Sequence, residues 1–115
     1  MDHRSQLLKG VLDMCLLAII SEESSYGYEM AEKLGAKGVH LSNEGSIYPT
    51  LSRMQRSGLI SSYFVEADGS GPPRKYYNIT KSGHERLLEW REEWSSLRDG
   101  VDEVMRGAAH DRSNG

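Results

Sequence analysis

His84 and Glu85 open an H-E-x-x-H pattern, the spacing that sets two imidazoles on one helical face around zinc, but position 88 is Leu and the second ligand is missing. His3, His40 and His110 are scattered, and Cys15 is the single thiol, set in the apolar run VLDMCLLAII where a small buried thiol is the ordinary reading. Glu92 and Glu93 are adjacent on an expected helix, where i, i+1 neighbours point apart, so they make no acid–base pair. Gly69-x-Gly71 hints at a phosphate-cradling loop, yet no helix follows it and no lysine is placed as such a loop needs. These patterns predict no enzyme, no metal site and no cofactor.

A different grouping survives. In SNEGSIYPTLSRMQRSGLI, residues 42–60, Ile47, Leu51 and Met54 recur at helical spacing on one face, while Asn43, Ser46, Pro49, Thr50, Arg53 and Arg56 take the other. Pro49 near the start has two readings. Either Ser46 caps the helix and Pro49 lies in a first turn that needs no donor, or the helix starts near Ser42 and Pro49 kinks it, with Gly45 easing the clash. Both deflect or shorten the start. A helix N-terminus offering small polar side chains, with cations farther along, suits phosphates and base edges in a major groove.

The net charge of −3 opposes a generic nucleic-acid binder. Divided along the chain it does not. Residues 1–36 carry 3 basic and 6 acidic groups, residues 37–86 carry 7 and 4, and residues 87–115 carry 4 and 7, so the balances are −3, +3 and −3. A length of 115 residues, 37% hydrophobic and 27% charged, fits one globular domain with a modest core. The apolar run around Cys15 is too short to span a bilayer, and MDHRSQLLKG lacks the layout of a signal peptide, so a cytoplasmic protein with no membrane partner is expected.

The surrounding elements follow from periodicity. Residues 6–20 read as a helix apolar around much of its surface, with Leu7, Val11, Met14 or Cys15, and Ala18 on one stripe and Leu8, Leu12, Leu16 and Ile19 widening it. Ser24 or Ser25 is the expected N-cap of a second helix, YGYEMAEKL, ending at Gly35. After the third helix and its cap at Gly58, SSYFVEA and RKYYNIT alternate as strands around the turn-rich DGSGPP. Arg74 and Lys75 follow that turn directly. The fold class is therefore mainly α with a β-hairpin wing, a winged helix-turn-helix over residues 1–80, then a long C-terminal dimerisation helix over 81–106 and a disordered tail over 107–115.

The last helix has its own pattern. Thr80 is the expected N-cap, and Leu87, Trp90, Trp94, Leu97, Val101 and Val104 recur at steps of 3, 4, 3, 4 and 3, a heptad seam. So narrow a stripe calls for a partner helix, most simply from a second copy under two-fold symmetry. Such a homodimer sets two recognition helices about 34 Å apart and asks for a palindromic double-stranded operator.

YGYEM, GSIYPTLSRMQRSGLI and RKYYNITKSGHE together resemble the PadR family of bacterial transcriptional regulators, over about Leu7 to Glu103. The resemblance implies a DNA-recognition role for Ser42, Asn43, Ser46, Tyr48, Pro49 and Arg53, with Gly71, Arg74 and Lys75 on the wing, and a packing role for Tyr76 and Tyr77. It also implies that Trp94, paired across two subunits, lines a flat pocket for a planar aromatic or hydrophobic effector whose binding releases a repressor. The plainer alternative makes Trp90 and Trp94 ordinary seam residues. The rival from another class is a winged-helix module that binds protein and not DNA, which would expose apolar groups on the third helix.

Overall fold

The computed structural model describes residues 7–114 except 42, 68 and 70, with side chains described as far as residue 108. Helix α1, Leu12–Glu22, buries Leu12, Leu16, Leu17, Ile19 and Ile20. The expected helix over 6–20 is interrupted. Leu7 and Leu8 are helical, residues 9–11 form a turn, and Val11 N–H donates to the Leu8 carbonyl at 2.9 Å. Gly10 lies in that turn, where glycine weakens a continuous helix by about 1 kcal/mol.

Neither Ser24 nor Ser25 caps the second helix, because Ser25–Tyr26 is a short strand, β1. Helix α2 runs Gly27–Ala36, with Tyr26 at its N-cap and the Tyr26 N–H donating to Glu29 Oε1 at 3.3 Å. The Ser25 hydroxyl is fully buried and already engaged, donating to the Glu23 carbonyl at 3.0 Å and accepting from Lys33 Nζ at 2.6 Å. A 3₁₀ turn over Glu44–Ser46 leads into α3, Ile47–Arg56. That order favours the first-turn reading of Pro49. Ser46 stands at the N-cap but makes no side-chain cap bond, since its hydroxyl donates to the Asn43 carbonyl at 2.9 Å.

Ile47, Leu51 and Met54 face inward at 1%, 0% and 2% exposure, so each contributes on the order of 1.5–3 kcal/mol by leaving water. Thr50 departs from the expected outer face. It is buried, and its hydroxyl donates to the Ser46 carbonyl one turn back. Gly58, at φ +78, ends α3 in a left-handed residue, and Gly58 N–H and Leu59 N–H return to the carbonyls of Gln55 and Met54 at 3.0 Å each.

Strands β2, Ile60–Val65, and β3, Arg74–Ile79, pair antiparallel from Ile60 opposite Ile79 to Val65 opposite Arg74. The sheet has three strands, not the expected two, because β1 adds to the far edge of β3 with Ser25 opposite Tyr77 and Tyr26 opposite Tyr76. Two residues show no period, which is why alternation could not find β1. Helix α4, Lys81–Asn114, is capped as expected, with Gly83 N–H donating to Thr80 Oγ1 at 3.0 Å. It runs past Arg106, where the sequence reading placed its end. Leu87 enters the same core as α1 and α3, with Trp90 packed partly buried against it.

Gly83 marks where α4 crosses the domain. A Cβ there would stand 2.1 Å from the Leu59 carbonyl oxygen and 2.6 Å from Ile79 Cγ1, so the helix approaches this closely only because the position is glycine. The longest dimension of the molecule is 64 Å against 30 and 21 Å across, which reflects α4 projecting beyond the domain that holds its first turns.

Candidate nucleic-acid interface

The N-terminal end of α3 and the root of the wing meet at one place. Tyr48 projects from the first turn of α3 onto Gly27, the first residue of α2, with an added Cβ at Gly27 falling 2.7 Å from Tyr48 Cε1 and 2.9 Å from its hydroxyl. Glycine at 27 is thus the condition for this seat. Tyr48, Ser52, Arg74 and Lys75, with Tyr26, Gly27 and Tyr77, line a cavity of about 370 Å³. Its described lining holds two cations and several hydroxyls but no carboxylate. Such a lining accepts an anion with oxygen acceptors.

The cations are pre-placed by rings. The Arg74 guanidinium lies 4.7 Å from the centre of the Tyr26 ring, and Lys75 Nζ lies 5.7 Å from Tyr77 and 6.0 Å from Phe64. Behind them, Tyr76 sits edge-on to Tyr26 at 5.3 Å and stacks with Tyr63 at 5.8 Å. Tyr77 is buried, and burial, followed by the neighbouring Tyr48, pushes its phenol up from the ordinary value. It therefore remains a neutral donor and packing group at physiological pH.

On the approach to α3, Asn43 Oδ1 accepts from the Gly45 N–H at 2.8 Å, closing the 3₁₀ turn. Asn43, Ser46, Pro49 and Arg56 are exposed, as is Gly71 in the wing loop. Ser42 lies outside the described residues. Arg53 is exposed on the same outer face, but its guanidinium bonds Asp13 on α1, with Nη2 at 2.7 Å from Oδ1 and 3.0 Å from Oδ2.

Sequence reasoning missed Tyr26, Gly27, Ser52 and Asp13. Ser52 was findable, since it follows Tyr48 by four residues and so shares its helical face. The other three lie on different elements, and only the tertiary structure brings them to α3.

The expected seam divides into two parts. Leu87 is buried and Trp90 half-buried in the chain's own core, whereas Trp94, Leu97, Val101 and Val104 are exposed at 39%, 59%, 48% and 71%. Beside them is a largely apolar groove of about 680 Å³, walled by Leu7, Leu8, Val11, Trp94, Leu97 and Val101. A second cavity of about 420 Å³ joins the two tryptophans to Asp13 and Arg53. Among the described residues, no group of three or more His, Cys, Asp or Glu could hold a metal ion, and no helix is long and apolar enough to cross a membrane.

Compared with known proteins, residues 16–89 match the model of the transcriptional regulator PadR-like family. A PadR-like transcriptional regulator from Bacillus cereus, known by its crystal structure, is 46% identical, covering 87% of this chain and 96% of that one at a TM-score of 0.74. A transcriptional regulator from Mycobacterium tuberculosis is 30% identical over 95 residues, 83% of this chain and 83% of that protein. One from Escherichia coli is 30% identical over 102 residues, 87% of this chain but 47% of that protein, so the chain spans about half that relative's length.

Proposed function

The chain belongs to the PadR-like family of transcriptional regulators, and from that premise we propose that it is a homodimeric repressor of a palindromic operator. The observation that carries the DNA contact is the cradle of Tyr48, Ser52, Arg74 and Lys75, where recognition helix and wing meet around a cavity lined by cations and hydroxyls. A backbone phosphate fits that chemistry, and fixing it sets the register of α3 in the major groove. Asn43, Ser46 and Pro49 then face base edges, Arg56 lies farther along the same helix, and Gly71 allows the wing loop close to the duplex. Phosphate contacts set affinity, and the polar turn before α3 sets sequence preference.

The exposed stretch from Trp94 to Val104 supports the dimer. Four apolar side chains at heptad spacing stand open to water on a single helix, and a copy of the same helix covers them under two-fold symmetry. Where the two Trp94 rings approach, a planar aromatic or hydrophobic effector can stack, and a change in the angle between subunits misplaces both recognition helices. Release of DNA follows.

A protein-binding reading has one specific observation in its favour. Phe64 is 68% exposed on the wing, with Tyr63 and Val65 beside it at 41% and 39%. The experiment that separates the two is fluorescence anisotropy of the protein against its own upstream DNA and a scrambled duplex across a salt series. Tight, selective binding with a steep salt dependence is the expected result. Weak binding that ignores sequence sinks the repressor reading and directs attention to Phe64. Titration of the same complex with flat aromatic compounds, followed by Trp94 emission and DNA release, tests the effector.

A further inference from the structure

Arg53 lies one turn beyond Pro49 on the outer face of α3, where the approaching duplex would find it, yet its guanidinium is already occupied. The Asp13 carboxylate accepts from Arg53 Nη2 with both oxygens, at 2.7 and 3.0 Å. Two acceptor oxygens on one anionic group are what a DNA phosphate also offers a guanidinium. The partners are 54% and 31% exposed, so the pair is wet, and exposed pairs of this kind are worth little and open readily. Asp13 is not there to satisfy burial, since the exposed Arg53 would be solvated without it. Among the described residues, Arg74 and Lys75 have no carboxylate partner of this kind, and their neighbours are rings.

We propose that Asp13 is a positioning residue that stands in for phosphate in the free protein, holding Arg53 along α1 and withholding one backbone contact per half-site. DNA and Asp13 then compete for the same guanidinium. The inference rests on the DNA-binding reading and adds an element to it: affinity is set partly by a carboxylate on a helix that does not itself enter the groove. Asp13 also lines the cavity it shares with Trp90 and Trp94, so the contact lies where changes near the tryptophans can reach α3.

The test compares wild type, Asp13→Asn, Arg53→Gln and the double variant, binding upstream and scrambled duplexes from about 50 to 200 mM salt. Asp13→Asn is expected to tighten binding to both duplexes about threefold to tenfold and to steepen the salt dependence by about 0.9 in log–log slope per half-site. A slope change of that size makes the gain vary about 3.5-fold across the salt range. In the Arg53→Gln background the same change should do nothing. An equal gain with and without Arg53 would mean that only net charge matters, and weaker binding by Asp13→Asn would mean that the pair presents Arg53 to DNA; either result overturns the inference. Far-UV circular dichroism and thermal melting establish folding, and Asp13→Ser repeats the prediction should the amide disturb α1. Failure of the DNA-binding reading looks different, because wild type and every variant then fail alike.

Discussion

Replacing Gly27 by Ala tests whether the Tyr48 seat serves binding or only packing. The new Cβ would meet Tyr48 Cε1 at 2.7 Å, the hydroxyl at 2.9 Å and Cζ at 3.0 Å. To recover an ordinary contact of about 3.6 Å the ring end must move by about 0.9 Å, the difference between the two distances. The clash is with the far end of a side chain that is 51% exposed, so the ring can swing outward without disturbing the core. Replacing glycine in a helical first turn gains roughly 0.4–1 kcal/mol from the unfolded chain, which offsets the lost ring contact. Stability should therefore stay within about 1 kcal/mol of wild type. Binding should not. Moving the phenol takes one hydrogen bond to a charged phosphate out of reach, worth about 1.5–3 kcal/mol, or roughly a 10-fold to 150-fold weaker complex per half-site. Anisotropy against operator DNA and a thermal melt measure the two quantities on the same preparation. In a Tyr48→Phe background, Gly27→Ala should add little further loss, because the hydroxyl is already gone. Wild-type affinity in Gly27→Ala, or a large additional loss in the Tyr48→Phe background, would refute the role given to this seat.

Gly83→Ala should do the opposite, because the added Cβ meets the Leu59 backbone carbonyl at 2.1 Å and backbone cannot swing aside. A loss of about 3 kcal/mol or more, near 10 °C in melting temperature, is expected from calorimetry. Arg74→Glu should weaken operator and scrambled DNA by similar factors, while Ser46→Ala should change the ranking among operator variants and leave scrambled DNA nearly unaffected, as competition binding will report. Leu97→Asp, on the exposed part of the seam, should leave the winged domain folded but shift the mass in sedimentation equilibrium from dimer to monomer. Tyr77 ionises less easily folded than unfolded, chiefly through burial and secondarily through Tyr48. Its contribution to stability is thus full below the ordinary tyrosine value near pH 10 and is lost as pH rises through the higher folded value. Tyr77→Phe should flatten the fall in stability on the alkaline side of a pH series of denaturant titrations.

Much of the architecture could be read from the sequence because its signals are local. Ile47, Leu51 and Met54 mark a buried face by spacing alone, Gly58 marks the end of α3 by the backbone it permits, and Thr80 caps α4 through a bond three residues away. The misses share a cause. Strand β1 is too short to alternate and exists because β3 offers it an edge. Thr50 looks polar on a helical wheel, but its hydroxyl is satisfied by the Ser46 carbonyl, so it can be buried. The seam residues look uniform along the chain, yet the domain covers Leu87 and stops before Trp94, a boundary set by where the other elements end. For the same reason the groups around α3 were legible as a polar face but not as a cradle. Their convergence depends on Gly27, Tyr48 and Arg74, far apart in sequence, lining the same cavity.

The glycine joint between α4 and the domain has a mechanical meaning for the proposed dimer. Helix rise puts Leu97, near the middle of the exposed seam, about 21 Å along the axis from Gly83. With the seam fixed, a tilt at the joint would carry each recognition helix along the duplex by an amount that grows with its distance from Gly83. Two features limit that tilt: Gly83 pressed on the Leu59 carbonyl, and Thr80, whose N–H donates to that same carbonyl at 3.1 Å while its hydroxyl donates to the Gly58 carbonyl at 2.6 Å. In the proposed dimer the stiffness of this few-residue joint would act as a ruler, deciding whether operators with one base pair more or fewer between their halves are accepted or rejected.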